Sequence, residues 1–100
     1  MSVTVSVSRR VSDSRDEIAR IAARHGVTRI RVFGSVARGE DRDTSDVDFL
    51  ITVGEKHSAW FPGGLIVDLE ALLGCRVDVV TEDALHPRLR NRILAEAVEL

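Results

Sequence analysis

Three aspartates and one glycine-serine pair carry the chemistry that this sequence could perform. Asp46 and Asp48 form a D-x-D, and ten residues separate Asp46 from the pair Gly34-Ser35. Carboxylates at i and i+2 of a strand point to the same face, with Cα atoms ~7 Å apart. Two side chains that close can share one or two hard cations. Magnesium prefers oxygen ligands and is usually held by a few carboxylates plus substrate phosphates. Two such ions would hold the attacking and leaving oxygens of an in-line displacement. Without metal the two carboxylates would repel, and one pKa would rise. A third aspartate, Asp78, interrupts the apolar run Val77-Asp78-Val79-Val80. Facing the core it would need a partner or a metal; on a solvent-facing edge it would need neither. If its strand lies beside 46–53, Asp78 completes a carboxylate triad.

The Gly-Ser pair has a different use. Glycine lets a backbone approach phosphates closely, and N–H groups at the start of the following turn can point at anionic oxygens. The Ser35 hydroxyl can donate to a phosphate oxygen. Arg38 fits either a phosphate or an acidic neighbour such as Asp46. Gly39 suits a positive φ, and Ser45, just before Asp46, suits a bond to the loop backbone.

These residues need a scaffold. Val3, Val5 and Val7 alternate with polar residues, so 1–12 reads as an N-terminal extension, either strand-like or a loose tail. As an edge strand it would offer a surface for self-association. Ser14 and Glu17 read as a capping box opening a helix over about 15–25, with Gly26 past its end. A strand over 28–33 runs into Gly34, and 36–45 is a polar loop. The next strand, 46–53, places Val47, Phe49, Ile51 and Val53 on one face and Asp46 and Asp48 on the other. A long loop over 54–64 precedes a helix marked by Leu65, Leu69, Leu72 and Leu73 and closed by Gly74. Arg76 to Thr81 is a third strand. Pro87 opens a last helix whose stripe is Leu89, Ile93, Ala97 and Leu100. The pattern predicts an α/β (α+β) fold: a small mixed sheet with helices packed on one side.

The chain has 100 residues, enough for one small domain. Its single cysteine, Cys75, excludes an internal disulfide and a cysteine-based zinc cage. No apolar run reaches the ~20 residues of a membrane span, and no signal-peptide core opens the chain, so the expected location is cytoplasmic. Charge is uneven: residues 1–42 hold nine Arg against five acids, and 43–100 hold five basic residues against eleven acids. The net charge of −2 carries no strong nucleic-acid signal. His25, His57 and His86 lack metal-ligand spacing and read as surface or capping residues. Trp60 and Phe61 read as cover for the core or as a partner or base-stacking surface, and Cys75 as a small buried hydrophobe. Arg88, Arg90 and Arg92 crowd a helix start, where the dipole disfavours cations, and hint at an anion nearby.

The composite G-S-V-A-R-G (34–39) and S-D-V-D (45–48) resembles the signature of the nucleotidyltransferases built on the DNA polymerase β-type core. The small size resembles their minimal branch, the MNT antitoxins paired with HEPN toxins, and the likeness covers most of 15–98. The resemblance implies a polymerase β-like palm fold in a single domain over 13–100. It implies Asp46, Asp48 and Asp78 as catalytic metal ligands for two Mg2+ ions. It implies Gly34, Ser35, Arg38 and Ser45 as the nucleotide-binding set, and ATP as substrate. It further implies transfer of AMP to a hydroxyl, a Tyr of a HEPN-type toxin. Two other readings are a non-enzymatic antitoxin acting by occlusion, and a small-molecule nucleotidyltransferase needing a partner subunit.

Overall fold

The computed structural model describes residues 6–40, 46–55 and 61–100. In chain order the elements are α1 (Val7–Asp13), α2 (Arg15–Arg24), β1 (Val27–Phe33), β2 (Val47–Val53), α3 (Gly63–Leu73), β3 (Val77–Thr81), a 3₁₀ turn (Glu82–Ala84), α4 (Pro87–Glu96) and β4 (Val98–Glu99). The four strands line up as β3-β2-β1-β4. β1 is antiparallel to both β2 and β4, whereas β2 and β3 are parallel, so the sheet is mixed. A parallel pair needs a long crossover, and α3 supplies it. No helix of the described residues is long and apolar enough to cross a membrane.

The apolar face of the sheet follows from strand alternation. Val47, Phe49 and Ile51 of β2 are fully buried, with Ile30 and Val32 of β1 and Val77 of β3 beside them. Ile18, Ile21 and Ala22 of α2 and Leu65, Leu69 and Leu73 of α3 close over them in one cluster. Gly74 ends α3 at φ 68°, the left-handed conformation glycine adopts without a Cβ penalty.

The opposite face is divided. Leu50 is fully buried there, with Arg31 as its cross-strand partner on β1. Arg31 is itself buried and pairs with Glu82 of the 3₁₀ turn at 3.0 Å. Arg90 of α4 donates to the Glu82 carbonyl at 3.1 Å. α4 buries none of its residues fully; Ile93 and Leu94 are half-buried, and polar bonds of this kind tie its start to the 3₁₀ turn.

Three expectations need correction. Residues 7–12 are helical, not a strand, and join the main core. Val7 and Val11 stand four apart, which suits a helix face as well as alternation, and both are buried in the cluster with α2 and α3. Ser6 caps this helix by accepting from the Arg9 N–H at 3.3 Å. Val3 and Val5 lie outside the described residues. Second, Ser14 makes no capping bond. α1 runs into α2 across this one residue, whose N–H returns to the Arg10 carbonyl at 3.1 Å, and Glu17 pairs with Arg20 instead. Third, the last helix stops at Glu96. Ala97 turns extended (ψ 136°), and Val98 pairs with Val32 as a fourth strand.

Candidate active site

Asp48 and Asp78 come side by side where β2 and β3 begin. The parallel register sets Asp48 directly beside Asp78, on strands ~4.8 Å apart. Val47 N–H donates to the Arg76 carbonyl at 2.9 Å and pins the start of both strands. Asp46 precedes β2 and is exposed; Asp48 is half-buried. Asp78 is exposed on an edge strand. It therefore does not face the core, and the penalty for a charge buried in an apolar strand does not apply. What holds is its placement beside Asp48.

β1 delivers Gly34 to the same place. Phe33 is the cross-strand partner of Asp48, and the chain then turns at Gly34 with φ +77°. A Cβ on Gly34 would lie 2.4 Å from Asp48 Oδ2. Backbone conformation requires the glycine, and a Cβ would in addition push the Asp48 carboxylate aside. The following turn closes through Arg38 N–H to the Gly34 carbonyl at 3.2 Å and Glu40 N–H to the Ser35 carbonyl at 2.9 Å. Val36 anchors it in the core, and Gly39 takes the expected positive φ, +70°. Ser35 is half-buried within this turn. Ser45 lies outside the described residues.

Arg38 binds acidic neighbours, and they are not Asp46. Its Nε donates to Glu40 at 2.9 Å, and a terminal nitrogen donates to Glu96. These bonds, Glu40's first, raise the guanidinium pKa. Glu96 also accepts the Gly34 N–H at 3.3 Å. Its own pKa is lowered, first by the Arg38 bond and then by the Gly34 N–H, against the opposing effect of burial. Spacing gave no hint of Glu96. A signal existed: an acid in the last turn of a helix opposes the dipole, so this one needs a partner elsewhere.

Negative charge accumulates at Asp48. Burial raises its pKa most, and the charges of Asp78, Asp46 and Glu96 add to that, while Arg38 works against it. Repulsion between neighbouring carboxylates is thus a secondary contribution, behind burial. Among the described residues no three carboxylate, imidazole or thiol groups converge into a ready-made metal cage. The hard oxygen donors and their mutual repulsion nevertheless fit a divalent ion completed by water and substrate oxygens, which is how magnesium is commonly held.

The remaining residues have structural work. His25 Nε2 lies 2.7 Å from Asp68 Oδ2 and joins α2 to α3. His86 caps α4 by accepting the Arg88 N–H at 3.2 Å. Arg90 is engaged by Glu82, so part of the basic cluster answers to an internal anion. Cys75 is partly buried against the core, and burial pushes its thiol up. Phe61 packs against the core too; His57 and Trp60 lie outside the described residues.

The family model for the nucleotidyltransferase domain matches residues 15–100. The chain belongs to this family. Among similar proteins, this nucleotidyltransferase is 42% identical over 90 residues to the "Putative protein adenylyltransferase MJ0435" of Methanocaldococcus jannaschii, covering 90% of this chain and 97% of that one. A solved structure described as a "putative minimal nucleotidyltransferase" superposes with a TM-score of 0.82 at 45% identity, covering 93% of this chain and 95% of that one. A chain from a toxin–antitoxin crystal structure with AMP-PNP superposes with a TM-score of 0.71 at 19% identity, over 84% of this chain and 69% of that one. That last likeness concerns the fold. The α+β nucleotidyltransferase fold and the enzyme class therefore stand on both sequence and architecture.

Proposed function

We propose that this nucleotidyltransferase moves AMP from ATP to a protein hydroxyl, a tyrosine of a HEPN-type toxin, and so acts as an antitoxin. The observation that carries the reading is the interlock of Gly34 with Asp48. It joins the Gly-Ser turn to the carboxylates in one unit. Asp46, Asp48 and Asp78 would hold Mg2+, which supplies charge neutralisation at the phosphates and orients the reacting oxygens. Ser35 donates from its hydroxyl to a β- or γ-phosphate oxygen. Arg38 holds the turn through its two carboxylate partners. The acceptor oxygen forms a bond to the α-phosphorus, the α–β bridging P–O bond breaks, and pyrophosphate leaves. Asp78, exposed at the edge, takes the acceptor's proton.

These 100 residues contain no Tyr, so a tyrosine acceptor lies outside them. The similarity to a named protein adenylyltransferase and the fold shared with a toxin–antitoxin chain support the choice of acceptor class. The test is transfer of label from α-labelled ATP to a co-expressed helical partner. Asp46→Asn combined with Asp48→Asn should abolish it, and undiminished labelling sinks the proposal. Neutralisation of the partner that survives loss of all labelling favours occlusion instead.

A further inference from the structure

Glu96 belongs to neither the metal-ligand set nor the nucleotide-binding set, yet it touches two parts of the nucleotide turn. One oxygen accepts the Gly34 N–H at 3.3 Å, and the other accepts from the Arg38 guanidinium. Its side chain is 16% exposed, whereas Glu40, the other partner of Arg38, is 63% exposed. An anchored carboxylate fixes a guanidinium far better than a solvated one. The anchor is built from the fold: α4 ends at Glu96, and the chain then pairs with β1 as β4, the strand that feeds Gly34. The carboxylate is therefore tied to the same strand whose end it braces.

We propose that Glu96 is a positioning residue for the nucleotide: by holding Gly34 and Arg38 it sets the turn that receives the triphosphate. This rests on the nucleotide reading of that turn. The opposite arrangement has the same contacts but the opposite consequence. If Glu96 merely filled an anion seat, triphosphate would have to displace it, and removing it would tighten binding.

The experiment measures affinity of the full chain for Mg·ATP, and separately for Mn2+ alone, in wild type, Glu96→Ala and Glu96→Gln. Thermal unfolding accompanies each. Glu96→Ala is expected to weaken Mg·ATP about tenfold. Glu96→Gln, which still accepts the Gly34 N–H, should weaken it about threefold. Mn2+ affinity should change by less than about twofold, because the carboxylates are left in place. Should the alanine variant not fold, the glutamine variant carries the comparison. Unchanged or tighter Mg·ATP binding overturns the positioning role while leaving the nucleotide reading intact. Equal losses for Mg·ATP and Mn2+ overturn it as well, since they report a general defect. A wild-type chain that binds no Mg·ATP removes the nucleotide reading, and this inference with it.

Discussion

Gly34 is the residue on which the site is most intolerant. Its φ of +77° disfavours any side chain, and its Cα abuts Asp48 Oδ2. Gly34→Ala is expected to cost about 1–2 kcal/mol of stability through backbone strain. It should also displace Asp48 and lower AMP transfer by at least about 100-fold, measured under saturating Mg·ATP. Asp48 yields a second prediction, in pH. Its pKa in the folded chain lies above the ordinary 3.8, so the folded state keeps this proton to higher pH than the unfolded chain. Its contribution to stability is present at acid pH and is lost as pH rises through the folded value. At neutral pH the ionised group destabilises the metal-free protein. Asp48→Asn should therefore raise Tm at pH 7 by about 2–5 °C, with the gain vanishing near pH 3. Added Mg2+ should stabilise the wild type and leave the variant unmoved. A lower Tm for the variant at pH 7 contradicts this account.

At the scale of elements, the legible parts were those where a single period dominates. Val47, Phe49 and Ile51 alternate cleanly, and β2 lies where alternation put it. Leu65, Leu69 and Leu73 with Gly74 define α3 and its end, and both are found. Whether the strand of Asp78 lies beside that of Asp48 stayed open in the sequence, and only the observed parallel pairing decides it. The two ends of the chain were misread for a common reason. Val7 and Val11 satisfy periods of two and of four, and only the packing of α2 and α3 decides between them. Ala97-Val98-Glu99-Leu100 extends a helical stripe on paper, but β1 has an open edge there and Val98 fills it. Tertiary demand, absent from local pattern, decides both. Glu96 was missed with them, because its partners are 58 and 62 residues away. α1 offers a direct check. Val7→Ala and Val11→Ala should each cost about 1–3 kcal/mol in urea unfolding, as expected for fully buried valines. Values near zero would return this segment to the status of an appendage.

Across the whole molecule the uneven charge acquires a use. The basic first half is bonded to the acidic second half by Arg29 with Glu99, Arg31 with Glu82 and Arg38 with Glu96. The buried one, Arg31, matters most. Removing Glu82 leaves a guanidinium 6% exposed without its carboxylate. Glu82→Ala should cost about 2–4 kcal/mol, whereas Arg31→Met with Glu82→Leu should recover most of that. Chemical denaturation of the three proteins compares them directly.

The contact of Gly34 with Asp48 has a thermodynamic meaning beyond steric fit. If the proposed metal and nucleotide seats are coupled through this contact, the linkage is reciprocal. Whatever factor a divalent cation adds to nucleotide affinity, the nucleotide adds to cation affinity. Under the proposed function the preferred ligand is then the metal–nucleotide chelate as a unit, with bare ATP expected to compete poorly with it.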